Sequence, residues 1–406
     1  MTTNGKSQRV LSFFLFLFFI LSLCFPHPSY ESTRFAEKKS VYSPGKSDKW
    51  EKRKPEDLGM DSRLIQEAIN FANTHEWSGP KDPKIAIIRS FAREPYGTII
   101  GPTKERGGVN GIVVKNGYIV AEWGDTKRVD MTFSVTKSYL STMAGLAMDL
   151  GLIRDVHDPV KDYVMDGKFD SEHNSKITWH HLLHQTSDWS GTLWNKPDWA
   201  DRPPRDVKWD DLRNRELKEP GTYFKYNDVR VNLLAYSLLQ IWRRPLPMLL
   251  REKIMDPIGA SSTWRWHGYK NSWVMIDGMK MQSVSGGGHW GGGMFISTRD
   301  HARFGLLFLR RGKWNEKQLI SENWIDMLKV PTPANPSYGY MWWLNTDRRQ
   351  IPSTSESVYY AAGFGGNYIV IDNEHDLVVV VRWVGSTRTL DGIMKLILAS
   401  MDKGKQ

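Results

Sequence analysis

The sequence predicts an α+β fold, with an antiparallel sheet built from both chain ends and flanked by helices, and a mainly helical domain inserted between those ends. Strand-like runs occur near both termini, at Gly111–Lys115 and Tyr118–Trp123 early in the chain and at Tyr359–Ala362, Asn367–Asp372 and Leu377–Trp383 late in it. Residues 155–330 instead carry mostly helical patterns separated by long loops. Sheet residues at both ends with helices between them are typical of one α+β domain that both termini complete.

The earliest elements are a helix and a hairpin. Asp61 is suited to the N-cap of a helix, and apolar residues follow it on one helical side, namely Leu64, Ile65, Ala68, Ile69 and Ala72. The Asn116-Gly117 dipeptide is the strongest hairpin signal in the chain, and it joins the two early strands.

The remaining elements are mainly helices. They are predicted at about Ser134–Leu150, where Gly151 ends the helix, and then at Trp179–His184, Val231–Trp242, Arg299–Arg310 and about Thr389–Met401. The stretch Gly286–Gly293 is a glycine-rich loop.

The predicted organisation places a leader and a linker before the domain. Residues 1–29 are a signal peptide or N-terminal anchor, residues 30–58 a linker, and residues 59–402 the domain. Within the domain, 59–150 and 335–402 form the α/β part and 151–334 the mainly helical part. Lys6 and Arg9 precede an apolar run from Val10 to Phe25, which is typical of an export signal and short of the roughly 20 residues of a membrane span. We therefore expect a periplasmic or secreted protein, which contacts a membrane only through this segment if it is not cleaved.

Composition excludes several function classes. Hydrophobic residues make up 40% of the chain and charged residues 25%, which are ordinary globular values. The net charge of +10 is spread along the chain without a run of five Lys or Arg, so we predict no nucleic-acid partner. Cys24 is the only cysteine and lies in the leader, which leaves the mature chain without disulfides or thiolate metal sites.

Three other patterns point away from cofactors. The histidines His180, His181 and His184 include an H-x-x-x-H pair, but the H-E-x-x-H glutamate of zinc proteases is missing. The glycine runs lack the G-K-[ST] ending of a phosphate loop, and no G-x-S-x-G is present. We predict neither a metal nor an organic cofactor.

The main chemical signal is a serine and a lysine three residues apart at the start of a predicted helix, in the stretch Phe133-Ser134-Val135-Thr136-Lys137-Ser138. That spacing puts both side chains on one helical face. The helix N-terminus favours a serine oxyanion, and the serine N–H can stabilise an oxyanion on a substrate carbonyl. Lys137 can act as the base only in its neutral form. The alternatives are an ordinary helix N-cap at Ser134 and a second S-x-x-K match, Ser43-Pro44-Gly45-Lys46, in the linker.

Several segments form a set with this motif. They are Thr132–Ser138, Gly145–Ala147, Asp158–Val160, Ile177-Thr178 and His181–Ser187. Together they resemble the serine β-lactamase and penicillin-binding protein superfamily, most closely its class C and esterase branch, over about residues 55–400. S-x-x-K is one of the elements of such enzymes. The resemblance implies a β-lactamase/transpeptidase-like fold and a catalytic Ser134 and Lys137.

The family's second element, a tyrosine that faces the nucleophile, resembles the sequence after Pro220-Gly221-Thr222. Tyr226 takes the position of the tyrosine, and Asp228 takes that of the family's asparagine. The resemblance implies that Tyr226 passes a proton from Ser134 to the leaving group, and that Asp228 bonds Lys137 or contacts substrate. Tyr269-Lys270-Asn271 is a rival match to the letters Y-x-N, without the preceding Pro-Gly and the following apolar helix.

The family's third element, a strand carrying a cation and a glycine, corresponds to Ala361-Ala362-Gly363-Phe364. The resemblance implies that Gly363 lies at the strand edge and that the Phe364 N–H completes the oxyanion hole. The cation is missing, and Arg382 or Arg388 are candidates to replace it. His289, beside the glycine-rich loop, is a candidate substrate contact.

These features predict a serine hydrolase that forms an acyl-enzyme at Ser134. Without the cation, an ester, D-amino peptide or short amide is favoured over efficient β-lactam hydrolysis. Its partners would be a small-molecule or peptide substrate and a cell-wall component. The alternative is a non-catalytic sensor of the penicillin-binding type, or a cell-wall binding module, on the same fold.

Overall fold

Both ends of the chain meet in one antiparallel sheet, which confirms the predicted fold class. The computed structural model describes residues 42–46 and 49–402, so the predicted leader at 1–29 lies outside the described residues. The α-helices are α1 (Ser62–Thr74), α2 (Pro83–Ser90), α3 (Thr136–Asp149), α4 (Trp179–Leu183), α5 (Trp209–Arg213), α6 (Asp228–Trp242), α7 (Leu246–Leu250), α8 (Thr298–Leu309), α9 (Glu322–Met327) and α10 (Thr387–Asp402).

Shorter helical turns separate several of these helices. They are the 3₁₀ turns Pro55–Leu58, Phe133–Val135, Val160–Asp162, Asn174–Lys176, Asp198–Ala200 and Thr346–Arg348, and a π-turn at Arg251–Met255. The strands are β1 (Asn110–Lys115), β2 (Tyr118–Trp123), β3 (Asp130–Met131), β4 (Thr192–Leu193), β5 (Lys196–Pro197), β6 (Arg265–Ile276), β7 (Met279–Val284), β8 (Gly293–Ile296), β9 (Lys313–Trp314), β10 (Lys317–Gln318), β11 (Trp343–Leu344), β12 (Tyr359–Gly363), β13 (Asn367–Asp372) and β14 (Leu377–Arg382).

The main sheet has the strand order β11-β12-β13-β14-β1-β2. The pairing of β1 with β14 joins the early strands to the late strands. The two run antiparallel, with Gly111 opposite Val381. Alternate residues of β14 face different cores: Val378 and Val380 pack in the core that holds α3 and α8, and Val379 packs in the core that holds α1 and α10. Helices on both faces explain why β14 is an uninterrupted apolar run.

The predicted early hairpin is present, and an additional segment packs against it. Asn116 and Gly117 have positive φ angles of 53° and 85°, as a tight hairpin turn requires. Trp50, in the stretch predicted as a linker, donates its Nε1–H to the Gly117 carbonyl at 2.8 Å, and the Arg53 N–H bonds the Ile119 carbonyl at 3.0 Å. This part of the stretch is therefore packed onto β2.

A second sheet joins β3 to three later strands, β6, β7 and β8, and it was not predicted from the sequence. Its order is β3-β8-β6-β7, and β6 and β7 form a long hairpin. Because β3 immediately precedes the turn that holds Ser134, this sheet brings β8 and the glycine-rich loop before it to the site. Each helix in the described part of the chain is too short or too polar to cross a bilayer.

Candidate active site

Ser134 lies in the 3₁₀ turn Phe133–Val135, which leads directly into α3. The first N–H groups of a helical turn have no intrahelical acceptor, so the Ser134 N–H is available to an external oxygen. Phe133 has a φ of 50°, which is unusual for a bulky residue. Its ring packs edge-on against Phe364 and Trp383, with centroids 5.2 and 6.4 Å away, and these contacts hold the strained turn.

Lys137 joins Ser134 to α6. Its Nζ lies 2.9 Å from Ser134 Oγ and 2.9 Å from Asp228 Oδ1. Both Lys137 and Asp228 are almost completely buried, at 1% and 0% exposure. Asp228 is the first residue of α6, and the Asn227 side chain caps that helix by accepting the Val229 and Arg230 N–H groups. The cap fixes the end of α6 from which Asp228 reaches Lys137.

Asp228 carries a negative charge between two cations. Burial raises the pKa of its carboxyl, but the charges of Lys137 and Arg202 outweigh burial and hold the pKa well below its usual range. Its second oxygen, Oδ2, lies 2.7 Å from Arg202 Nη2. Lys137 therefore meets Asp228 in a buried salt bridge, and only its neutral amine can act as a base.

Tyr226 is the tyrosine that the structure places next to Lys137. The Lys137 Nζ lies 4.6 Å from the centre of its ring, and Tyr226 lines the same cleft as Ser134. Among the described residues, no protein group hydrogen bonds its hydroxyl. The rival Tyr269 is buried away from the cleft, where its hydroxyl accepts from Asn232 Nδ2 and bonds Ser285 Oγ. Tyr226 thus lies beside Lys137 in the cleft that holds Ser134, and Tyr269 does not line that cleft.

The cleft in front of Ser134 has a volume of about 320 Å³ and is largely aromatic. It is lined by Phe91, Ser134, Arg202, Tyr226, Trp343, Gln350, Tyr360, Ala362, Gly363, Phe364, Tyr368 and Thr387. A cleft of this size with aromatic walls and a few polar groups is typical of a small-molecule site.

Gly363 ends β12 directly beside the Ser134 turn. A Cβ at this position would lie 2.2 Å from the Thr132 carbonyl oxygen and 3.3 Å from the Ser134 nitrogen, so only glycine allows this approach. Phe364 follows and lines the cleft. The structure therefore brings both predicted oxyanion residues, Gly363 and Phe364, to the nucleophile.

Neither arginine considered as a replacement cation reaches the cleft. Arg382 is buried, and its guanidinium donates to Asn367 Oδ1 and to the carbonyls of Ile296 and Met131. Arg388 is exposed and is not among the lining residues. The charged residue that lines this cleft is Arg202, which the sequence analysis did not identify.

His289 does not line the cleft but lies behind Arg202. It is buried, its Nε2 is 2.7 Å from Glu94 Oε2, and its Nδ1 accepts from Arg202 Nη2 at 3.0 Å. Burial and the neighbouring guanidinium lower the pKa of the imidazole, so this histidine is neutral. Its position corrects the prediction of a direct substrate contact, since Arg202 stands between His289 and the cleft.

One group in the described part of the chain has metal-ligand chemistry. Ligand atoms of Glu94, Asp201 and His289 lie within 4.8 Å of one another. Arg202 already contacts all three, because Nη1 lies 2.6 Å from Asp201 Oδ1, Nη2 meets His289, and its backbone N–H bonds Glu94 Oε1 at 3.1 Å. The guanidinium supplies the positive charge that these carboxylates require, so we assign no metal to this group.

The glycine-rich loop has a role that its glycines could have indicated. A Cβ on Gly287 would lie 1.8 Å from Asp228 Oδ1 and 2.2 Å from Lys137 Nζ. The loop therefore packs directly on the salt bridge. No comparable signal marks Arg202, Asp201 or Glu94, because their contacts join segments that are far apart in sequence and follow no periodic pattern.

Comparisons with known proteins agree with this geometry. The family model described as Beta-lactamase matches residues 98–391. The D-alanyl-D-alanine-carboxypeptidase/endopeptidase AmpH of Escherichia coli K12 is 28% identical over 136 residues, which are 32% of this chain and 35% of AmpH. This chain spans less than half the length of the Escherichia coli relatives that it matches.

Solved structures share the fold. A β-lactamase from Mycobacterium bovis superposes with a TM-score of 0.51 at 19% identity, over 79% of this chain and 100% of that one. A family VIII carboxylesterase superposes with a TM-score of 0.52 at 17% identity, over 80% of this chain and 99% of that one.

Proposed function

We propose, given that this chain belongs to the β-lactamase family of hydrolases, that it cleaves a neutral carboxylic ester or amide through an acyl-enzyme on Ser134. The observation that carries the proposal is the 2.9 Å contact between Lys137 Nζ and Ser134 Oγ at the floor of an aromatic cleft. A serine oxygen within hydrogen-bond reach of a base is the arrangement that nucleophilic catalysis needs.

The reaction proceeds in two balanced steps. In acylation, Ser134 Oγ bonds the carbonyl carbon, its proton passes to neutral Lys137, and Tyr226 delivers a proton to the leaving alcohol or amine as the old bond breaks. In deacylation, water attacks the ester carbon and gives a proton to the Tyr226 phenolate that acylation leaves. The bond from that carbon to Ser134 Oγ breaks, and Lys137 returns its proton to Ser134 as the acid product leaves. The N–H groups of Ser134 and Phe364 stabilise the oxyanion in both steps.

The charge of the cleft supports a neutral substrate. Arg202 is its charged lining residue, and that charge is already matched by Asp228 and Asp201. The strand that would carry a cation holds Ala361 and Ala362 instead, so among the described residues no unmatched positive group lines this cleft for a substrate carboxylate. Esters, D-amino peptides with a blocked terminus and short amides fit this cleft better than β-lactams do. The likeness to a carboxylesterase supports an ester substrate, and the likeness to AmpH supports an amide substrate.

A non-catalytic penicillin-binding-type module is the second candidate. Two observations favour it: the missing cation at Ala361 and Ala362, and the salt bridge that engages Lys137 in the resting site. Such a module would bind a cell-wall component through its basic surface and would not turn over substrate.

Activity-based labelling separates the two candidates. Wild-type protein is expected to react with a fluorophosphonate probe and to hydrolyse p-nitrophenyl esters or D-amino-acid amides faster than nitrocefin. Ser134→Ala should lose labelling and about 10³-fold or more of the activity. Ser43→Ala, in the other S-x-x-K match, is the matched control and should keep both.

Two outcomes would contradict the hydrolase proposal. Folded wild-type protein that is not labelled would favour the binding module, as would peptidoglycan binding that is sensitive to salt and survives Ser134→Ala. Equal labelling of wild type and Ser134→Ala would exclude Ser134 as the nucleophile.

A further inference from the structure

A line of charged groups continues from the nucleophile into the protein. It begins with Ser134, Lys137 and Asp228, and Asp228 Oδ2 then lies 2.7 Å from Arg202 Nη2. Arg202 Nη1 in turn lies 2.6 Å from Asp201 Oδ1. The two oxygens of one buried carboxylate therefore face two different cations, one of which is the base.

Arg202 is held in this position by several contacts. Glu94 accepts its backbone N–H, His289 accepts from its Nη2, and the buried Asp201 also accepts the Asp228 N–H. Its guanidinium packs over the rings of Phe91 and Tyr226, with its carbon 5.5 and 5.3 Å from their centres. Its φ of 46° is in the left-handed region, which a non-glycine residue adopts only where its surroundings enforce it.

We propose that Arg202 is a positioning residue that controls proton transfer from Ser134 to Lys137, by binding the second oxygen of Asp228. This inference rests on the proposed function of the site. When a lysine is the only cation beside a buried carboxylate, the negative charge stabilises its protonated form. A second cation on the same carboxylate weakens that hold, and a nearby positive charge also disfavours the ammonium form directly. Arg202 thus favours the neutral amine of Lys137, which is the form that can accept the Ser134 proton.

Arg202 is less suited to recognising a substrate anion. Its Nη groups are engaged by Asp201, Asp228 and His289. With Glu94 included and His289 neutral, three carboxylates face three cations, Lys137, Arg202 and Lys225. An anionic substrate group would therefore meet no excess positive charge at this point.

Other titratable groups face the same cluster and belong in the reading of any pH profile. Besides Ser134, Lys137, Asp228 and Arg202, they are Glu94, Asp201, Lys225, Tyr226, Tyr269 and His289. None of these residues is replaced in the variants below, but Arg202 acts electrostatically on Asp201, Asp228 and His289, so the profile of Arg202→Lys, which keeps the charge, is the reference for reading that of Arg202→Gln.

The test is the pH profile of kcat/KM for a neutral p-nitrophenyl ester, measured on wild type, Arg202→Gln and Arg202→Lys. The ascending limb of such a profile reports the base of the free enzyme. Removal of a positive charge favours protonated Lys137, so Arg202→Gln should move the midpoint of this limb upward by about 1 to 3 pH units. Arg202→Lys keeps a charge at the position and should keep the midpoint within about 0.5 pH unit of wild type.

Arg388→Gln is the matched control, because it removes an exposed arginine next to a cleft residue without touching Asp228. It should leave the midpoint unchanged. Circular dichroism and thermal unfolding establish that each variant is folded. If Arg202→Gln does not fold, the midpoint of Arg202→Lys carries the test, and an upward shift of about 1 pH unit or more in that variant would overturn the proposal.

The results distinguish this inference from the proposed function. Hydrolysis by wild type together with an Arg202→Gln profile that is lowered at every pH, with the same midpoint, would overturn only the positioning role. A higher KM confined to anionic esters, with no shift in the midpoint, would make Arg202 a substrate contact and would also overturn it. Absence of both hydrolysis and labelling in wild type would remove the proposed function and this inference together.

Discussion

At the residue scale, Gly287 is the position where one methyl group should disable the site. Its missing Cβ leaves the space that the Lys137–Asp228 salt bridge occupies, at 1.8 Å from Asp228 Oδ1 and 2.2 Å from Lys137 Nζ. Gly287→Ala would force the pair apart. We expect a loss of kcat/KM of about 10²-fold or more, since a displacement of about 1 Å can cost that much.

The measurement is ester hydrolysis by folded Gly287→Ala, with Gly108→Ala as the control. A Cβ on Gly108 would meet nothing within 4 Å, so this variant should keep wild-type activity. Wild-type kinetics in Gly287→Ala would show that the loop yields easily and that the salt bridge tolerates displacement.

The same scale shows which site residues a sequence can predict. Ser134 and Lys137 are three apart at the start of one helix, so their contact follows from helix geometry, and the structure places them 2.9 Å apart. Arg202 meets Asp228 and His289, which are 26 and 87 residues further along the chain, and no local rule brings such distant segments together. His289 was predicted as a substrate contact, and its burial behind Arg202 depends on packing that the sequence does not display.

At the element scale, a buried charge network supports the segment that carries Tyr226 and Asp228. Arg230, on the first turn of α6, is completely buried and donates Nε–H to Asp198 at 2.7 Å and Nη2–H to Asp188 at 2.6 Å. Asp198 also accepts from the side chain of Asn227, the cap of α6. The network therefore ties the start of α6 to two loops of the insert.

Removal of Arg230 should destabilise the fold strongly. Arg230→Ala leaves the buried Asp198 without its close cation and leaves Asp188 with Arg215 as its remaining arginine partner, and we expect a loss of about 3 to 5 kcal/mol in the free energy of unfolding, measured in urea. Arg213→Ala, at an exposed arginine on α5, should change it by about 0.5 kcal/mol or less. Similar values for the two variants would mean that water enters and solvates the network.

Elements with a local signal were predicted, and one such signal was left unused. Asn116-Gly117 indicated the β1–β2 hairpin, and both residues have the positive φ angles expected there. Asp277-Gly278 is the same kind of turn, with φ angles of 51° and 75°, and it joins β6 to β7. The flanking residues mix lysines, methionines and tryptophan without strict alternation, which is why the second sheet was not recognised.

At the scale of the whole molecule, the fold class was predictable because the two strand groups differ from the region between them over long stretches. The sequence predicted that the two strand groups form one antiparallel sheet, but it did not predict their register. The register of β1 on β14 is set by packing of α1 and α10 on one face and α8 on the other. A slip by one residue would exchange the two faces of β14, so both cores together specify the register.

A chain of neutral histidines couples the stability of the whole molecule to pH. The Tyr340 hydroxyl bonds His180 Nδ1 at 2.7 Å, His180 Nε2 bonds His184 Nδ1 at 3.2 Å, and His184 Nε2 bonds the Val330 carbonyl at 3.1 Å. One assignment satisfies every contact: the hydroxyl, His180 Nε2–H and His184 Nε2–H donate in turn, and each imidazole is neutral. A proton on His184 Nδ1 would point at the N–H of His180.

Acid should therefore destabilise the fold through this chain. Burial lowers the pKa of His180 to about 3 and that of His184 to about 4, whereas an unfolded histidine binds its proton near pH 6.5. Between those pH values the unfolded state holds more protons, so the free energy of unfolding falls as pH is lowered, by up to about 1.4 kcal/mol per pH unit for each histidine.

His184→Gln, compared with wild type in urea at pH 7, 6 and 5, should show a shallower pH dependence of the unfolding free energy. The exposed His75→Gln should retain the wild-type slope, and equal slopes in all three proteins would mean that His184 binds its proton equally well in the folded and unfolded states.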